Sequence, residues 1–213
     1  MDSKKVLEQV KKDKVHFVQL HFTDILGIVK SLTIPANFLE DSIENGTWFD
    51  GSSIQGFTRI SESDMYLKPD LTTYSLIPWL QSNEGNTARF ICDVYTPDGE
   101  PFAGDPRYAL KKVMKEAEDM GFTYNTGPEL EFFLFKKENG MLKPLPHDQG
   151  GYFDLTTDDA YNIRREMVNT LEKFGIEIEA SHHEVALGQH EIDFKYSNAF
   201  RTADNATTLR TVL

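Results

Sequence analysis

A short segment of this chain carries two acidic residues in a pattern typical of a metal-binding strand. Residues 127–135 predict a strand, because aromatic and apolar residues follow a Gly-Pro break. Side chains alternate between the two faces of a strand, so Glu129 and Glu131 share a face about 7 Å apart. Alternating glutamates also fit the wet face of a strand. However, Phe133 and Phe135 share their parity, which predicts a buried strand whose carboxylates need partners.

A second segment, residues 182–194, holds Glu184 and Glu191 within a Gly-containing turn, together with His182, His183 and His190. Like charges that gather on half-buried strands disfavour their own ionisation unless they share a positive partner. Hard divalent cations such as Mg²⁺ or Mn²⁺ supply that partner. Because hard cations prefer oxygen, we expect the histidines to support or pack around the carboxylates rather than bind metal.

Composition limits the classes of partner. The 213 residues include 34 acidic and 22 basic ones, for a net charge of −12, which argues against nucleic acid or an anionic membrane. The sequence has no apolar run as long as a membrane span, and its start lacks the apolar core of a signal peptide. The single cysteine, Cys92, lies in a strand-like segment and is expected to be a packed thiol. A cytoplasmic protein fits these features.

Turn and cap signals divide the chain into two domains of an α+β protein. Residues 1–97 predict a small first domain. It has a helix over residues 3–12 capped by Ser3, a hairpin over residues 15–34, a helix from Pro35 to about Gly46, and strands near residues 47–50, 73–80 and 88–95. Residues 96–101 predict a linker.

The second domain, residues 105–213, begins with a helix that Asp105 caps and Gly121 ends. After the Glu129 strand, Asn139-Gly140 predicts a hairpin turn. Further elements are a helix from Asp158 or Asp159 to Phe174, a strand over residues 176–180, and a helix beginning near Thr202 that has no stop signal by Leu213. From that last feature we expect a chain truncated on its C-terminal side.

Glu179 and Glu184 have opposite strand parity, so both can face one site only if the chain bends or bulges between them. The sequence has no glycine-rich phosphate-binding loop of either common pattern. Any nucleotide chemistry must therefore depend on metals, and carboxylates around two ions suit phosphoryl transfer.

Four motifs in this order resemble those of type I glutamine synthetases. They comprise residues 49–57, with Asp50-Gly51-Ser52-Ser53, and residues 127–133, 150–153 and 182–191. The resemblance implies an N-terminal β-grasp-like domain and the first part of a catalytic domain with an antiparallel sheet. It also implies ATP-dependent ligation of ammonia to L-glutamate through γ-glutamyl phosphate, with two Mg²⁺ or Mn²⁺ ions per site.

Residue roles follow from the same resemblance. Glu131, Glu184 and Glu191 resemble the ligands of one metal, and Glu129 resembles a ligand of the second. The residues that resemble nucleotide contacts are Glu179, Tyr152 and Tyr196. Asp50 resembles the carboxylate that binds and deprotonates ammonium, although Asp-Gly alone also fits an ordinary turn. Arg59 resembles the arginine of the alpha-type subclass that glutamine inhibits, although a surface ion pair with Glu62 or Asp64 also fits.

The family forms two stacked hexameric rings with active sites shared between subunits, so Asp50 is expected to serve a neighbouring subunit. The family's chain is longer, and its remaining metal ligands, ATP-binding arginines and glutamate flap are not among these 213 residues. We therefore expect this chain alone to be inactive. Two alternatives are a γ-glutamyl-polyamine synthetase of the same fold and a non-catalytic glutamine-sensing module. The Asp50 loop favours ammonia over a bulky amine, and the set of carboxylates favours catalysis.

Overall fold

The computed structural model describes residues 2–54, 64–146 and 148–213, and for residues 144–146 it describes only the backbone. The chain forms two compact units, Met1–Tyr124 and Asn125–Leu213. Each unit combines a sheet with helices, which confirms the α+β class. No helix in the described ranges is both long and apolar enough to cross a membrane. The domain boundary between residues 97 and 105 stays a prediction.

The first unit is built on a six-stranded sheet in the order β2-β1-β6-β4-β3, with β5 also paired to β6. Strands β1 and β6 run parallel, and the other pairs are antiparallel. The strands are β1 Val15–Thr23, β2 Val29–Pro35, β3 Thr47–Asp50, β4 Asp64–Pro69, β5 Ser75–Ser82 and β6 Gly85–Tyr95. The helices of this unit are α1 Ser3–Lys12, α2 Leu39–Asn45 and α3 Pro106–Asp119.

The core of the first unit joins α1 and α2 to the sheet through Val6, Leu39, Leu20 and Phe90, all fully buried. Cys92 lies in this core as predicted, and burial raises the pKa of its thiol well above the ordinary value. Burying this apolar surface supplies the main stabilisation of the sheet–helix packing.

Most predicted elements of the first unit are confirmed, with three corrections. Pro35 ends β2 and a 3₁₀ turn over Ala36–Phe38 precedes α2, so the helix predicted from Pro35 begins at Leu39. The bounds of α1 match the prediction, but Asp2 is its N-cap and Ser3 is its first helical residue, so the predicted Ser3 cap is wrong. Strand β4 was missed by the sequence analysis. It is short and ends at Pro69, and its polar ends obscure the alternation of buried Met65 and Leu67.

Helix α3 is held against strand β6 of the same unit by charged contacts at its N-terminus. Asp105 accepts hydrogen bonds from the N–H groups of Arg107 and Val94, at 2.9 and 3.1 Å. The Arg107 guanidinium then reaches Asp93 at 2.6 Å and Asp70 at 3.1 Å. Because Arg107 is buried, these partners are needed to satisfy its charge.

The second unit is centred on a three-stranded antiparallel sheet in the order β11-β12-β8. Its strands are β8 Glu129–Phe133, β11 Ile178–His183 and β12 Gln189–Phe194. Two smaller pairs join β9 Phe135–Glu138 to β10 Met141–Pro146, and β7 Asn125–Thr126 to β13 Ser197–Asn198. Helices α4 Tyr161–Lys173 and α5 Ala199–Val212 bury Leu171 and Leu209 in a core with Ile192 and Phe194 of β12.

One face of this sheet is open, which overturns the prediction that the Glu129 strand is buried on both sides. Leu130 and Phe132 pack against the core, but Glu129, Glu131 and Phe133 are exposed on the other face. The physical reason is that the buried core, including Leu171 of α4 and Leu209 of α5, lies on one side of the sheet only.

The helix starts of the second unit also differ from the predictions. Helix α4 begins at Tyr161, because the Asp158 carboxylate instead accepts from the Ala160 N–H at 3.1 Å and pairs with Arg164. Helix α5 begins at Ala199, before Thr202, with Asn198 as its N-cap. The predicted Asn139-Gly140 turn is confirmed by positive φ angles of 50° and 81°.

Candidate metal centre

Strand register brings three site residues into one row across the second unit's sheet. On β12, Glu191 lies opposite His182 of β11 on one side and opposite Glu131 of β8 on the other. The next row pairs Asp193 with Glu129. Residues paired directly across strands point to the same face, so these side chains all belong to the open face of the sheet.

The tightest group on this face, a candidate metal-binding cluster that we call the metal group, comprises His182, Glu184 and Glu191, whose ligand atoms lie within 4.8 Å of one another. Glu184 and Glu191 are buried, with only 9% and 6% of their surface exposed. The His182 Nε2 atom lies 3.6 Å from Glu191 Oε2 and 3.8 Å from Asp193 Oδ2. Three carboxylates thus converge on one imidazole.

Glu184 reaches this group from the turn between β11 and β12. Its N–H donates to the Gln189 carbonyl at 2.8 Å, and its Oε2 accepts from the Val185 N–H at 2.8 Å. Glu131 is held separately, because Gln189 Nε2 donates to its Oε2 at 2.5 Å. The sequence analysis singled out neither Gln189 nor Asp193, although Asp193 shares the parity of Glu191.

The electrostatics of the group favour a cation. Burial, followed by the hydrogen bond and charge of Asp193 and the charges of Glu184 and Glu129, raises the pKa of Glu191 well above its ordinary value. Asp193 Oδ1 is buried and has no hydrogen-bond partner among the described residues. Carboxylate oxygens are the preferred ligands of Mg²⁺ and Mn²⁺, so the residues present fit a hard divalent ion.

Family models match nearly all of the chain. The model for the glutamine synthetase catalytic domain matches residues 103–213, and the model for the glutamine synthetase β-grasp domain matches residues 14–97. The chain belongs to the glutamine synthetase family. The β-grasp-like first domain expected from the sequence is thereby confirmed.

Curated glutamine synthetases are similar to this chain along almost its whole length. The protein from Methanosarcina mazei is 56% identical over 210 residues, which cover 98% of this chain and 47% of that protein. The Halobacterium salinarum protein is 53% identical over 210 residues, and the Staphylococcus aureus protein is 55% identical over 205. Both alignments cover 46% of the relative. The chain thus spans about half the length of the curated relatives it matches.

Solved structures share the fold at lower identity. A Plasmodium falciparum glutamine synthetase structure superposes with a TM-score of 0.87 at 24% identity, covering all of this chain and 47% of that one. A structure described as apo GmaS without ligand gives a TM-score of 0.84 at 25% identity, covering 97% and 48% of the two chains. These likenesses support the β-grasp and catalytic-domain architecture of the glutamine synthetase family.

The three predicted nucleotide contacts of this glutamine synthetase family member all belong to the second unit. Tyr152 stands next to the metal group, with its ring centroid 5.7 Å from that of His182. Glu179 is exposed at a register shift between Ile178 and Ala180, a bulge of the kind expected if Glu179 and Glu184 face one site. Tyr196 is 64% exposed and follows β12. Their roles stay predictions.

Asp50 belongs to the first unit. It precedes a short 3₁₀ turn over Gly51–Ser53 and accepts from the Ser52 N–H at 2.9 Å and the Ser52 hydroxyl at 2.6 Å. These two hydrogen bonds, the hydroxyl's first, lower the pKa of Asp50, and its exposed carboxylate therefore stays ionised near neutral pH. Arg59 lies outside the described residues.

The two other histidines of residues 182–194 point away from the open face and its carboxylates. His183 and His190 face each other across β11 and β12 on the core side, and both are buried. Their packing role agrees with the sequence analysis. His182 differs, because it lies among the acidic side chains. Alternation along β11 puts His182 and His183 on opposite faces, a signal that the sequence analysis did not use.

Proposed function

We propose that the protein carrying this chain ligates ammonia to L-glutamate in an ATP-dependent reaction through γ-glutamyl phosphate, giving L-glutamine. The observation that carries the proposal is that Glu184 and Glu191 meet in one buried group, on the sheet face where Glu131 lies directly opposite Glu191. Such a cluster suits a reaction in which negative charge develops on transferring phosphate oxygens. The family membership supports the same reaction class.

Two divalent ions, Mg²⁺ or Mn²⁺, are the proposed cofactors. Glu131, Glu184 and Glu191 would hold one ion, and Glu129, one row along the sheet, would contribute to the second. When bound, such ions neutralise phosphate charge and orient the reacting oxygens. The chain's own contribution is to keep the buried carboxylates close together, at a cost that the cation offsets.

Substrate contacts are proposed for residues outside the metal group. Glu179, Tyr152 and Tyr196 would contact ATP. Asp50 would attract ammonium and take up its proton, since an ionised carboxylate favours NH₄⁺ over neutral molecules. Asp50 would serve the site of a neighbouring subunit in an assembly of two hexameric rings. A cytoplasmic location and inhibition by glutamine through Arg59 complete the proposal.

The direct test measures glutamine and ADP formed from ATP, L-glutamate and ammonium with Mg²⁺, in the full-length protein that carries this sequence. Glu191→Gln should abolish turnover. Glu177→Gln is the matched control, because the Glu177 side chain is exposed and pairs with Lys195 at 2.8 Å, away from the carboxylates of the open face. ATP hydrolysis without glutamine, or full activity of Glu191→Gln, would contradict the proposal. Supplying methylamine or putrescine in place of ammonium shows whether a bulkier amine is preferred.

Because these residues match less than half the length of the curated relatives, we expect the 213-residue chain assayed by itself to show no turnover. The measurement is the same glutamine assay at matched protein concentration. Turnover above a no-enzyme blank would contradict this expectation.

A further inference from the structure

A buried polar network lies on the opposite face of the sheet from the metal group. It contains Asp148, His183 and His190, with 4%, 1% and 0% of their surfaces exposed. Asp148 belongs to neither strand of the β11–β12 pair and is contributed by the segment between β10 and α4. Burying a carboxylate costs free energy unless it is fully hydrogen-bonded, and Asp148 Oδ2 is buried with no hydrogen-bond partner among the described residues. The contacts of the other oxygen, Oδ1, therefore carry the role of this residue.

The contacts of Asp148 lead to Glu184. Its Oδ1 atom accepts from His183 Nε2 at 2.7 Å and from the Gly188 N–H at 3.2 Å. The other ring nitrogen of His183, Nδ1, donates to the Glu184 carbonyl at 2.6 Å. The Asp148 carboxylate therefore connects both ends of the β11–β12 turn. It reaches Glu184 at the start of the turn through His183, and it contacts Gly188 at the end directly.

Close packing fixes the same connection. A Cβ atom added to Gly150 would lie 2.9 Å from His183 Cδ2 and Nε2, which is closer than such atoms approach. The chain two residues after Asp148 thus lies directly against the imidazole, and only glycine fits there. This contact limits how far the His183 ring can turn and keeps both of its hydrogen bonds in line.

Asp148, His183 and His190 also place ligand atoms within 4.8 Å of one another, which raises the alternative of a second metal site. The hydrogen bonds argue against it. His183 donates through both nitrogens to oxygen acceptors. Arg164 can only donate, so its contact with His190 Nδ1 at 3.0 Å leaves the His190 proton on Nε2. Neither imidazole offers a free lone pair. The hydrogen bonds run from Asp148 through His183 to Glu184, whereas His190 bonds to Arg164. The His190 Nε2 atom lies 3.9 Å from Asp148 Oδ2, and neither atom has a hydrogen-bond partner among the described residues.

We propose that Asp148 is a positioning residue that, through His183 and Gly188, holds the β11–β12 turn so that the Glu184 carboxylate meets Glu191 and His182. The inference rests on the proposed function, because it takes Glu184 to be a metal ligand. Residues that orient metal ligands without touching the ion typically change metal affinity when they are replaced. Asp148 acts from the far side of the sheet through backbone and ring contacts.

Asp158 provides a matched control for burial and charge. Its carboxylate pairs with Arg164 at 2.5 Å and is 6% exposed, compared with 0% for the Asp148 side chain. Asp158 contacts the start of α4 rather than the turn, at the Ala160 N–H. Loss of Asp158 should therefore lower stability without moving Glu184.

The experiment measures Mn²⁺ affinity by electron paramagnetic resonance, thermal unfolding and Mn²⁺-dependent turnover in the full-length protein. Asp148→Ala should weaken Mn²⁺ binding by about 10- to 100-fold. Asp148→Asn should recover most of that loss, because its amide oxygen still accepts from His183 and Gly188. Saturating Mn²⁺ should restore much of the turnover of Asp148→Ala. Asp158→Asn should lower the unfolding temperature and leave Mn²⁺ affinity unchanged.

Unchanged Mn²⁺ affinity in folded Asp148→Ala overturns the inference, and so does an equal loss in Asp158→Asn. Should Asp148→Ala not fold, His183→Gln replaces it. Gln retains the contact with Asp148 and loses the contact with the Glu184 carbonyl, so it should weaken Mn²⁺ binding, and unchanged affinity again overturns the inference. If Glu184→Gln itself binds Mn²⁺ like the parent, the metal assignment of the proposed function fails and the inference fails with it.

Discussion

Glu191 lies directly opposite Glu131 in the β12–β8 pairing, although the two residues are far apart in the sequence. Like charges placed opposite each other destabilise a sheet. A cation bound by both carboxylates would offset their repulsion. We therefore expect the two carboxylates to bind one cation together. The same row continues to His182, whose imidazole lies beside Glu191.

We expect Glu131, Glu184 and Glu191 to act as one metal-binding cluster. Each single Glu→Gln replacement in the full-length protein should weaken Mn²⁺ binding by at least about tenfold, the lower range found for residues that merely support ligands. Double replacements should be strongly non-additive, because the residues share one partner. Mn²⁺ titration measures both effects. Parent-like affinity in all three single variants would show that the cluster is wrongly assigned.

Asp50→Asn should raise the ammonium requirement and lower turnover by about 100-fold or more, the range for general acid–base catalysis. Asn keeps an oxygen for the Ser52 contacts but removes the charge. Steady-state kinetics should show little change in the ATP and glutamate requirements. Asp41→Asn, an exposed aspartate that contacts Asn45, serves as the control and should behave like the parent.

Subunit mixing tests whether Asp50 acts on a neighbouring subunit. Full-length Asp50→Asn and Glu131→Gln proteins, each nearly inactive, should regain activity when mixed, because some interfaces then combine an intact Asp50 with an intact metal group. Subunit exchange is confirmed first with differently tagged parent proteins. If the mixed assemblies exchange subunits but stay inactive, Asp50 either acts within its own subunit or has no catalytic role.

Arg59→Ala should retain glutamine synthesis and lose much of its inhibition by glutamine, because the proposed role of Arg59 is regulatory. Inhibition curves at fixed substrate concentrations measure this change. Lys5→Ala, which removes an exposed positive charge from α1, should leave the inhibition curve unchanged. If Arg59→Ala is inhibited like the parent, Arg59 is better explained by a surface ion pair.

The first unit should lose stability as the pH falls from about 6.5 to about 4. Burial first, and then the positive charge of Arg89, lowers the pKa of His21 from 6.5 to about 4 in the folded protein. Between these values the unfolded chain binds more protons, so folding free energy is lost as pH decreases, by an amount on the order of 3 kcal/mol for this group. Above pH 6.5 the stability due to neutral His21 is fully present.

Urea unfolding followed by tryptophan fluorescence measures this effect, since Trp48 and Trp79 are the two tryptophans and both lie in the first unit. A His21→Asn variant should show a shallower dependence on pH, whereas His16→Asn, at an exposed position of β1, should follow the parent. Equal slopes for His21→Asn and the parent would assign the acid sensitivity to other groups.

Local signals in the sequence predicted much of the fold. The Asp105 cap, the turn at Asn139-Gly140 and the glycines after α2 and α3 mark features that the structure confirms, because each is decided by a few neighbouring residues. The predictions that were wrong depended on distant partners. Asp158 looks like a cap in sequence, yet its carboxylate pairs with Arg164. Burial of the Glu129 strand was also misjudged, because sequence alternation does not show that only one sheet face is covered.

The sequence by itself determined the chemistry available at the site. Strand parity placed Glu129 with Glu131, and it implied a bend or bulge if Glu179 and Glu184 face one site. The structure has a register shift between Ile178 and Ala180. Only the tertiary structure decided that β12 lies between β11 and β8, in the register that sets Glu191 between His182 and Glu131. It also decided that Asp148 contacts His183 on the core side of the sheet. The physical reason is that parity follows from the local backbone of each strand, whereas strand order and register depend on how distant segments bury their apolar side chains together.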